Sequence, residues 1–241
     1  MSDFFRTIAR SRTLNLIRGT VRRLPGGGWA FRTLARAMNR DYEERFHHAL
    51  LGAVRPGDTV WDVGANVGFY TEKFLNLVGD AGHVVAIEPA PASADRCRAL
   101  DDGKGRLTVM QVALGRSTGT VRFSVAGDDQ TSVTNKVSDD GGVEVEMLTG
   151  DALLGRLENR QPDILKLDVE GFETDALEGM TPRLLGSQKL RSVFVEVHST
   201  LLAQRGIHNG GEQIEKLLQR HGYDVDWVDF SHIVASRRSG G

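Results

Sequence analysis

The sequence contains a single cysteine, Cys97, among its 241 residues, so no disulfide can form within one chain. It has no uninterrupted apolar run near the roughly 18 residues that a membrane-spanning helix needs. Its first residues, MSDFFRTIARSRTLNL, lack the apolar core of a secretory signal. These absences favour a reducing compartment, and we expect a cytoplasmic protein.

Lysine is missing from the first forty residues, which carry nine arginines and one acidic residue, Asp3. This segment therefore has a net charge of +8 and the remainder −10, since the whole chain is at −2. A basic arm on an acidic body indicates a helix docked on that body, an acidic partner, or an organellar leader. Together with Phe4 and Phe5, the arginines are compatible with peripheral contact to a membrane or a lipid-linked substrate. We expect no nucleic-acid partner, because the arm has no lysine and no aromatic residues spaced for stacking.

Short apolar runs alternate with helical patterns after the turn RPGD at 55–58. The patterns predict strands at 59–64, 83–89, 106–115, 162–171 and 190–199 and helices at 67–79, 90–102, 151–161, 173–187 and 212–222. Runs of period two indicate half-exposed strands at 119–127 and 142–150, and a hairpin closes the chain. This alternation predicts an α/β fold with a doubly wound, mostly parallel sheet and an antiparallel terminal hairpin.

The same turn suggests two domains. Residues 1–55 are predicted to form an N-terminal helical extension, a basic arm that acts as a cap or lid, and residues 56–241 the ligand-binding domain. The segment 128–141 has no strong pattern, and long connections without their own structure are often lids or binding loops. We therefore expect substrate to contact 128–141 and the helix around 41–48.

Ligands of open α/β sheets bind beyond the carboxyl ends of the strands, and most side chains expected there are acidic. In chain order these positions are Asp62, Gly64, Asn66, Gly68, Glu88, Val112, Ala113, Asp168, Glu170, Glu196 and His198, with no arginine or lysine among them. Carboxylates would repel a pyrophosphate, and Asn66 occupies the slot of the middle glycine in the dinucleotide fingerprint G-x-G-x-x-G. The set favours a cationic nucleoside with free ribose hydroxyls, such as S-adenosylmethionine, over a nicotinamide dinucleotide.

Glu88 lies 20 residues after Gly68, at the end of the second predicted strand. Dinucleotide folds place their ribose-binding acid at about this spacing. A carboxylate can accept from both ribose hydroxyls, and such charged hydrogen bonds contribute roughly 1.5–3 kcal/mol each. We therefore expect Glu88 to bind a ribose; the alternative is an exposed acid at a strand end.

The segments VWDVGANVGFYT, AIEP, ALG and ILKLDVEGFE together closely resemble the FkbM-type family of S-adenosylmethionine-dependent methyltransferases, from about Pro56 to His198. The resemblance implies the class I methyltransferase (Rossmann-like) fold with a seven-stranded sheet. It also implies O-methylation of a hydroxyl on a sugar, a glycan or a natural-product small molecule.

The resemblance also assigns roles to residues of the expected site. It places Asp62, Gly64, Asn66 and Gly68 at the methionine end of the cofactor, Glu88 on the ribose, Ala113 beside the adenine and Asp168 by the methyl group. The full set that we expect to bind the cofactor is Asp62, Gly64, Ala65, Asn66, Gly68, Tyr70, Thr71, Glu88, Pro89, Val112, Ala113 and Asp168.

An alcohol is a poor nucleophile while protonated, so a general base or a metal ion is expected. Asp168 and His198 are the candidate bases, and Glu173 is expected to cap the following helix. We predict no metal; a divalent ion held by Asp168, Glu196 and His198 is the alternative.

Two functions compete with methyl transfer. One is a nicotinamide-dependent oxidoreductase, and the other is a non-catalytic nucleoside-binding module on the same fold. The residue pattern does not indicate an oligomeric state.

Overall fold

Two β-sheets and the helices around them form the described part of the computed structural model, which comprises residues 44–124, 136–137, 143–181 and 183–238. The strands are β1 (Thr59–Val63), β2 (His83–Ile87), β3 (Leu107–Met110), β4 (Ala113–Leu114), β5 (Gly119–Ser124), β6 (Lys136–Val137), β7 (Val143–Leu148), β8 (Ile164–Leu167), β9 (Ser192–Glu196), β10 (Tyr223–Trp227) and β11 (His232–Arg237). The helices are α1 (44–53), α2 (Phe69–Val78), α3 (Pro91–Arg98), α4 (Gly150–Arg156), α5 (Glu173–Glu178), α6 (Ser199–Gln204) and α7 (Gly210–Arg220).

The main sheet has seven strands in the order β10-β11-β9-β8-β1-β2-β3. Pairing is parallel from β9 through β8, β1 and β2 to β3, whereas β11 pairs antiparallel with both β9 and β10. β1, β2 and β8 are buried at every position, as expected for parallel strands covered on both faces. The predicted doubly wound sheet with an antiparallel terminal hairpin is confirmed.

A second sheet has the order β4-β7-β5-β6, and it corrects the strand predicted at 106–115. The backbone N–H of Glu88 donates to Met110 at 3.1 Å, one residue past the end of β2. The chain then leaves the main sheet, and β4 pairs with β7 instead. The predicted strand is therefore two strands in two sheets.

Two helix predictions need correction at their ends, and one helix was not predicted. Positive φ angles at Glu158 (53°) and Asn159 (62°) turn the chain soon after α4, so the helix predicted to 161 is short. α5 ends at Glu178, with Gly179 as its C-cap, rather than at 187. α6 was not predicted, because its first residue was assigned to the preceding strand.

The predicted N-terminal extension is described only from residue 44 onward, where 44–53 is helical. Phe46 and Leu50 of α1 pack in one apolar cluster with Phe74 of α2 and Phe194 of β9. The basic arm and most of the predicted substrate loop at 128–141 lie outside the described residues. Among the helices in the described ranges, none has the length and apolarity to cross a membrane.

Arg191, just before β9, ties together the ends of the strands opposite the predicted site. Its guanidinium donates to both carboxylate oxygens of Asp58 at 3.0 and 2.7 Å and to Asp163 at 3.1 Å. Asp58 also accepts from the backbone N–H of Arg55, and Asp163 from that of Thr59. One cation therefore joins the entries to β1, β8 and β9.

We predict that Arg191→Met lowers the free energy of unfolding by about 2–4 kcal/mol, because Asp58 and Asp163, which are partly buried, lose the cation that pairs with them. Urea denaturation at neutral pH measures this loss. Arg238→Met is the matched control: its pair with Asp224 has side chains 55% and 71% exposed, so it should cost less than about 1 kcal/mol. Equal losses in the two variants would contradict the prediction.

Candidate active site

The glycine loop after β1 is held between β2 and the end of β8. The backbone N–H groups of Gly64 and Ala65 donate to the carbonyl of Ile87 at 2.9 and 3.2 Å. Gly64, Asn66 and Gly68 have positive φ angles of 76°, 49° and 88°. A Cβ on Gly64 would lie 1.7 Å from the carbonyl oxygen of Asp168, so only glycine allows this approach. The loop is thereby fixed against the backbone of a predicted catalytic residue.

Glu88 points into this loop. It is 5% exposed, and its carboxylate accepts from the backbone N–H of Asn66 at 2.8 Å and of Ala90 at 2.9 Å. Burial raises the pKa of Glu88, while these two hydrogen bonds oppose the shift. Each carboxylate oxygen can accept a second hydrogen bond. Glu88 therefore has the capacity, at the predicted place, to accept from ribose hydroxyls.

Lys166 was missed by sequence reasoning, which placed no lysine at the site. It lies inside β8 with its Nζ 3.0 Å from the carbonyl oxygen of Gly64, 3.3 Å from Asp62 Oδ1 and 3.5 Å from Asp168 Oδ2. Burial alone would lower its pKa, but Asp62 and Asp168 outweigh it and raise the pKa well above the ordinary lysine value. A lysine in the apolar run ILKL was the available signal, because buried lysines require partners.

Asp62 is fully buried at the end of β1. Its Oδ2 accepts from the hydroxyl of Thr71 at 2.7 Å. Its Oδ1 makes no hydrogen bond to any described residue, although Lys166 Nζ lies 3.3 Å away. A buried carboxylate oxygen with spare capacity beside a glycine cradle fits the ammonium of S-adenosylmethionine.

The remaining predicted cofactor residues surround this loop. Tyr70 and Thr71 lie in the first turn of α2, and the ring of Tyr70 lies 5.2 Å from Lys166 Nζ. Pro89 follows Glu88 directly. Val112 and Ala113 occupy the passage between the two sheets, just after the contact between Glu88 and Met110. The predicted residues thus come from the ends of neighbouring strands, as the fold class requires.

His198 stands at the centre of an acidic cluster after β8 and β9. Its Nδ1 lies 2.8 Å from Glu173 Oε1, and Glu173 also accepts from the backbone N–H of Gly171, just before α5. On the other side, His198 Nε2 lies 3.5 Å from Glu170 and 3.8 Å from both Asp168 and Glu196. The two predicted bases are therefore neighbours.

The cluster shifts the pKa values of the two candidate bases. Burial alone would lower the pKa of His198, but the hydrogen bond and charge of Glu173, with Glu170 and Asp168, raise it to about 9. Burial raises the pKa of Asp168 despite the opposing charges of Lys166 and His198. His198 is therefore an imidazolium near neutral pH, whereas Asp168 is a stronger proton acceptor than an ordinary aspartate.

A second histidine, also missed by sequence reasoning, lies on the opposite side of Glu196. His232 Nδ1 is 2.7 Å from Asp229 Oδ2, and its Nε2 is 3.7 Å from Glu196 Oε2. Burial alone would lower the pKa of His232, but Asp229 and Glu196 raise it to about 9. Glu196 is thus placed between two imidazolium groups.

Within the described ranges, one group of side chains has the spacing to hold a metal ion. One ligand atom each of Asp168, Glu170 and His198 lie within 4.8 Å of one another. The metal site considered from the sequence consisted of Asp168, Glu196 and His198. The group in the structure has Glu170 instead of Glu196. Exposed acidic groups commonly have such spacing without a metal, and the absence of a metal stays a prediction.

A cavity of about 480 Å³ lies beside this cluster, lined by Glu44, Phe46, His47, Phe69, Tyr70, Glu196 and His232. Its walls come from α1, the start of α2, the end of β9 and the start of β11. Glu196 belongs both to the cavity wall and to the acidic cluster, so the two spaces adjoin.

Comparison with known proteins gives one family and several distant relatives. Residues 62–225 match the family model described as the methyltransferase FkbM domain. The hexuronic acid methyltransferase AglP of Haloferax volcanii is 32% identical over 151 residues, covering 62% of this chain and 60% of that protein. The 2-O-methyltransferase NoeI of Sinorhizobium fredii is 25% identical over 159 residues, covering 59% of this chain and 64% of that protein. The chain thus spans less than two thirds of the length of both relatives.

A solved structure supports the fold. The methyltransferase FkbM of Methylobacillus flagellatus superposes with a TM-score of 0.50 at 16% identity, covering 74% of this chain and 43% of that one. At this identity the likeness concerns the fold alone. With the strand order described above, it gives the class I methyltransferase fold that the sequence predicted.

We predict that the free energy of unfolding falls as pH rises from about 6.5 to above 9. His198 and His232 have folded pKa values of about 9, above the unfolded value near 6.5, so each contributes stability that is complete below pH 6.5 and lost as pH rises through 9. The loss should be about 3 kcal/mol per histidine, measured by urea denaturation across this range. His232→Gln should flatten the profile, whereas the exposed His48→Gln should not; identical profiles for all three proteins would contradict the prediction.

Proposed function

Because this chain belongs to the FkbM methyltransferase family and is therefore an S-adenosylmethionine-dependent methyltransferase, we propose that it methylates a hydroxyl group of a sugar or glycan. One observation carries the proposal: Asp168 has a partly buried carboxylate with a raised pKa, and its backbone carbonyl lies against Gly64 of the glycine loop. O-methylation needs a proton acceptor at this place. A hydroxyl of a natural-product small molecule is the alternative acceptor.

The names of the relatives support a sugar acceptor. One is a methyltransferase of hexuronic acid and another a 2-O-methyltransferase. Family membership leaves no role for a nicotinamide cofactor, and Asn66, with its left-handed φ, keeps a side chain where a dinucleotide loop needs glycine.

Residues of the glycine loop and the adjoining strands would hold the cofactor. Asp62 Oδ1 would accept from its ammonium, the backbone around Gly64 and Gly68 would hold its methionine part, and Glu88 would accept from its ribose hydroxyls. The bound cofactor supplies a methyl group on a positively charged sulfur, which is the electrophile of the reaction. The chain's own contribution is alignment of the acceptor and removal of its proton.

Asp168 is the general base in this proposal. Its carboxylate would accept the proton of the acceptor hydroxyl, while the bound cofactor would supply the methyl group. His198 is already protonated at neutral pH, so it acts as a positive neighbour that offsets Glu170 and Glu196 instead of accepting the proton. Lys166, 3.5 Å from Asp168 Oδ2, holds the carboxylate toward the loop.

We predict that Glu88→Ala weakens binding of S-adenosylhomocysteine by tenfold or more, since each lost charged hydrogen bond contributes roughly 1.5–3 kcal/mol. Isothermal titration calorimetry measures the dissociation constant, and thermal unfolding checks that the variant is folded. Glu88→Gln, which retains one acceptor oxygen, should lie between wild type and Glu88→Ala. Glu72→Ala, an exposed change on α2, is the control. Unchanged binding in a folded Glu88→Ala would remove this residue from the cofactor site.

We predict that Asp168→Asn lowers kcat for methyl transfer by about 10²–10⁴-fold, the usual contribution of general base catalysis. The assay follows labelled methyl groups onto a panel of glycosides, and NMR of the product locates the methyl ether. Glu170→Gln, with its carboxylate in the same cluster, should lose less than tenfold.

Two outcomes would contradict this mechanism. Label found only on nitrogen or carbon would exclude O-methylation. Activity abolished by exhaustive chelation and restored by a divalent ion would replace the base mechanism with a metal-assisted one.

A further inference from the structure

We propose that the cavity beside the acidic cluster binds the ring of a neutral pyranose sugar, with the aromatic side chains against its apolar face and Glu196 and His232 toward its hydroxyls. This inference rests on the proposed function, because it specifies the acceptor of the same site. We further infer that the cavity binds neutral sugars in preference to uronic acids.

The aromatic wall consists of rings set at an angle to one another. Phe69 and Tyr70 have centroids 5.2 Å apart and planes at 84°, and His47 lies 6.3 and 5.6 Å from them. Phe69 is 56% exposed, an unusual place for a large apolar ring unless it contacts a ligand or partner. Such a corner offers one ring face to the C–H groups of a sugar and a second ring at its edge.

The polar wall faces the cavity from β9 and β11. Glu196 accepts hydrogen bonds only, whereas His232 in its charged form donates through Nε2. The 2.7 Å contact between His232 Nδ1 and Asp229 fixes the orientation of the imidazole. Aromatic side chains beside a few oriented polar groups are typical of small-molecule sites, and an acceptor next to a donor matches neighbouring hydroxyls.

The cavity also adjoins the catalytic groups. Glu196 Oε1 lies 3.8 Å from His198 Nε2, which lies 3.8 Å from Asp168 Oδ1. Tyr70, on the opposite wall, lies 5.2 Å from Lys166 Nζ, and Lys166 contacts Asp168. A ring held in the cavity therefore lies beside the carboxylate that would take the proton from one of its hydroxyls.

Charge distinguishes a neutral sugar from a uronate. Among the lining residues that the structure describes, Glu44 and Glu196 are carboxylates, and the one cation, His232, is paired with Asp229. Lys73 lies over the Phe69 ring at 4.7 Å and is not part of the lining. Like charges brought together at an interface are strongly disfavoured, so a sugar carboxylate should be rejected here, unlike the acceptor named for AglP.

Binding of simple glycosides tests the proposal without requiring turnover. Methyl hexopyranosides of gluco, galacto and manno configuration, each beside its uronate, are titrated into the full chain saturated with S-adenosylhomocysteine, with saturation-transfer NMR as the readout. We expect at least one neutral glycoside to bind ten times or more tightly than its uronate.

Two pairs of variants locate the bound sugar. Phe69→Ala should weaken binding of the neutral glycoside at least fivefold and leave binding of S-adenosylhomocysteine unchanged. Leu77 is on the same helix, is 36% exposed and lies outside the cavity, so Leu77→Ala should change the binding of neither ligand. Glu44→Gln should narrow the difference between the neutral sugar and its uronate, and the exposed Glu72→Gln should not.

Other results would overturn the proposal. Uronates that bind as tightly as neutral glycosides would refute the charge argument, and equal effects of Phe69→Ala and Leu77→Ala would place the sugar elsewhere. Failure of every glycoside to bind would refute a pyranose site. Methyl transfer to a hydroxyl of a different compound would still sustain O-methylation, so the two failures can be told apart.

Discussion

The buried ammonium of Lys166 is the contact on which the rest of the site depends. It joins the carbonyl of Gly64, the carboxylate of Asp62 and the carboxylate of Asp168, which come from the ends of two adjacent strands. Without this cation, a fully buried aspartate would be left unpaired, which is strongly destabilising. The same cation orients the proposed base against the loop that would bind the cofactor, so loop geometry and catalytic geometry are set by a single side chain.

Two charged histidines pair with the other carboxylates of the cleft, as Lys166 does with Asp62 and Asp168. Four carboxylates gather around His198, and Glu196 is shared with His232. Each imidazole is held on its Nδ1 side by a buried carboxylate, which makes its charge persistent near neutral pH. These positive charges balance the carboxylates around Asp168, which is the proposed proton acceptor. Glu196 lies both in this cluster and in the cavity wall, so the proposed recognition of the acceptor and the proposed removal of its proton would use the same side of the cleft.

Much of the fold was predictable because local pattern and final burial agree. β1, β2, β8 and β9 each lie within a predicted apolar run, since strands covered on both faces need continuous apolar sequence. The predictions that were wrong concern segments whose structure is not determined by their own residue pattern. The run 106–115 was predicted as one strand, yet it divides between Met110 and Ala113 because β2 ends first and leaves its later residues without a partner in the main sheet. The helix predicted at 151–161 is interrupted by left-handed residues that helical periodicity does not reveal.

The sequence alone predicted the parallel sheet with its terminal hairpin, the glycine loop, the position of Glu88 and the acidic residues at the strand ends. These features follow from strand periodicity and chain spacing, which are short-range properties. Only the tertiary structure revealed which groups are paired. Asp229 and His232 come from the terminal hairpin, far along the chain from Asp168, and Lys166 was hidden within a strand. Charge compensation acts across space, so the protonation state of His198 and the wall of the cavity depend on contacts that no local pattern encodes.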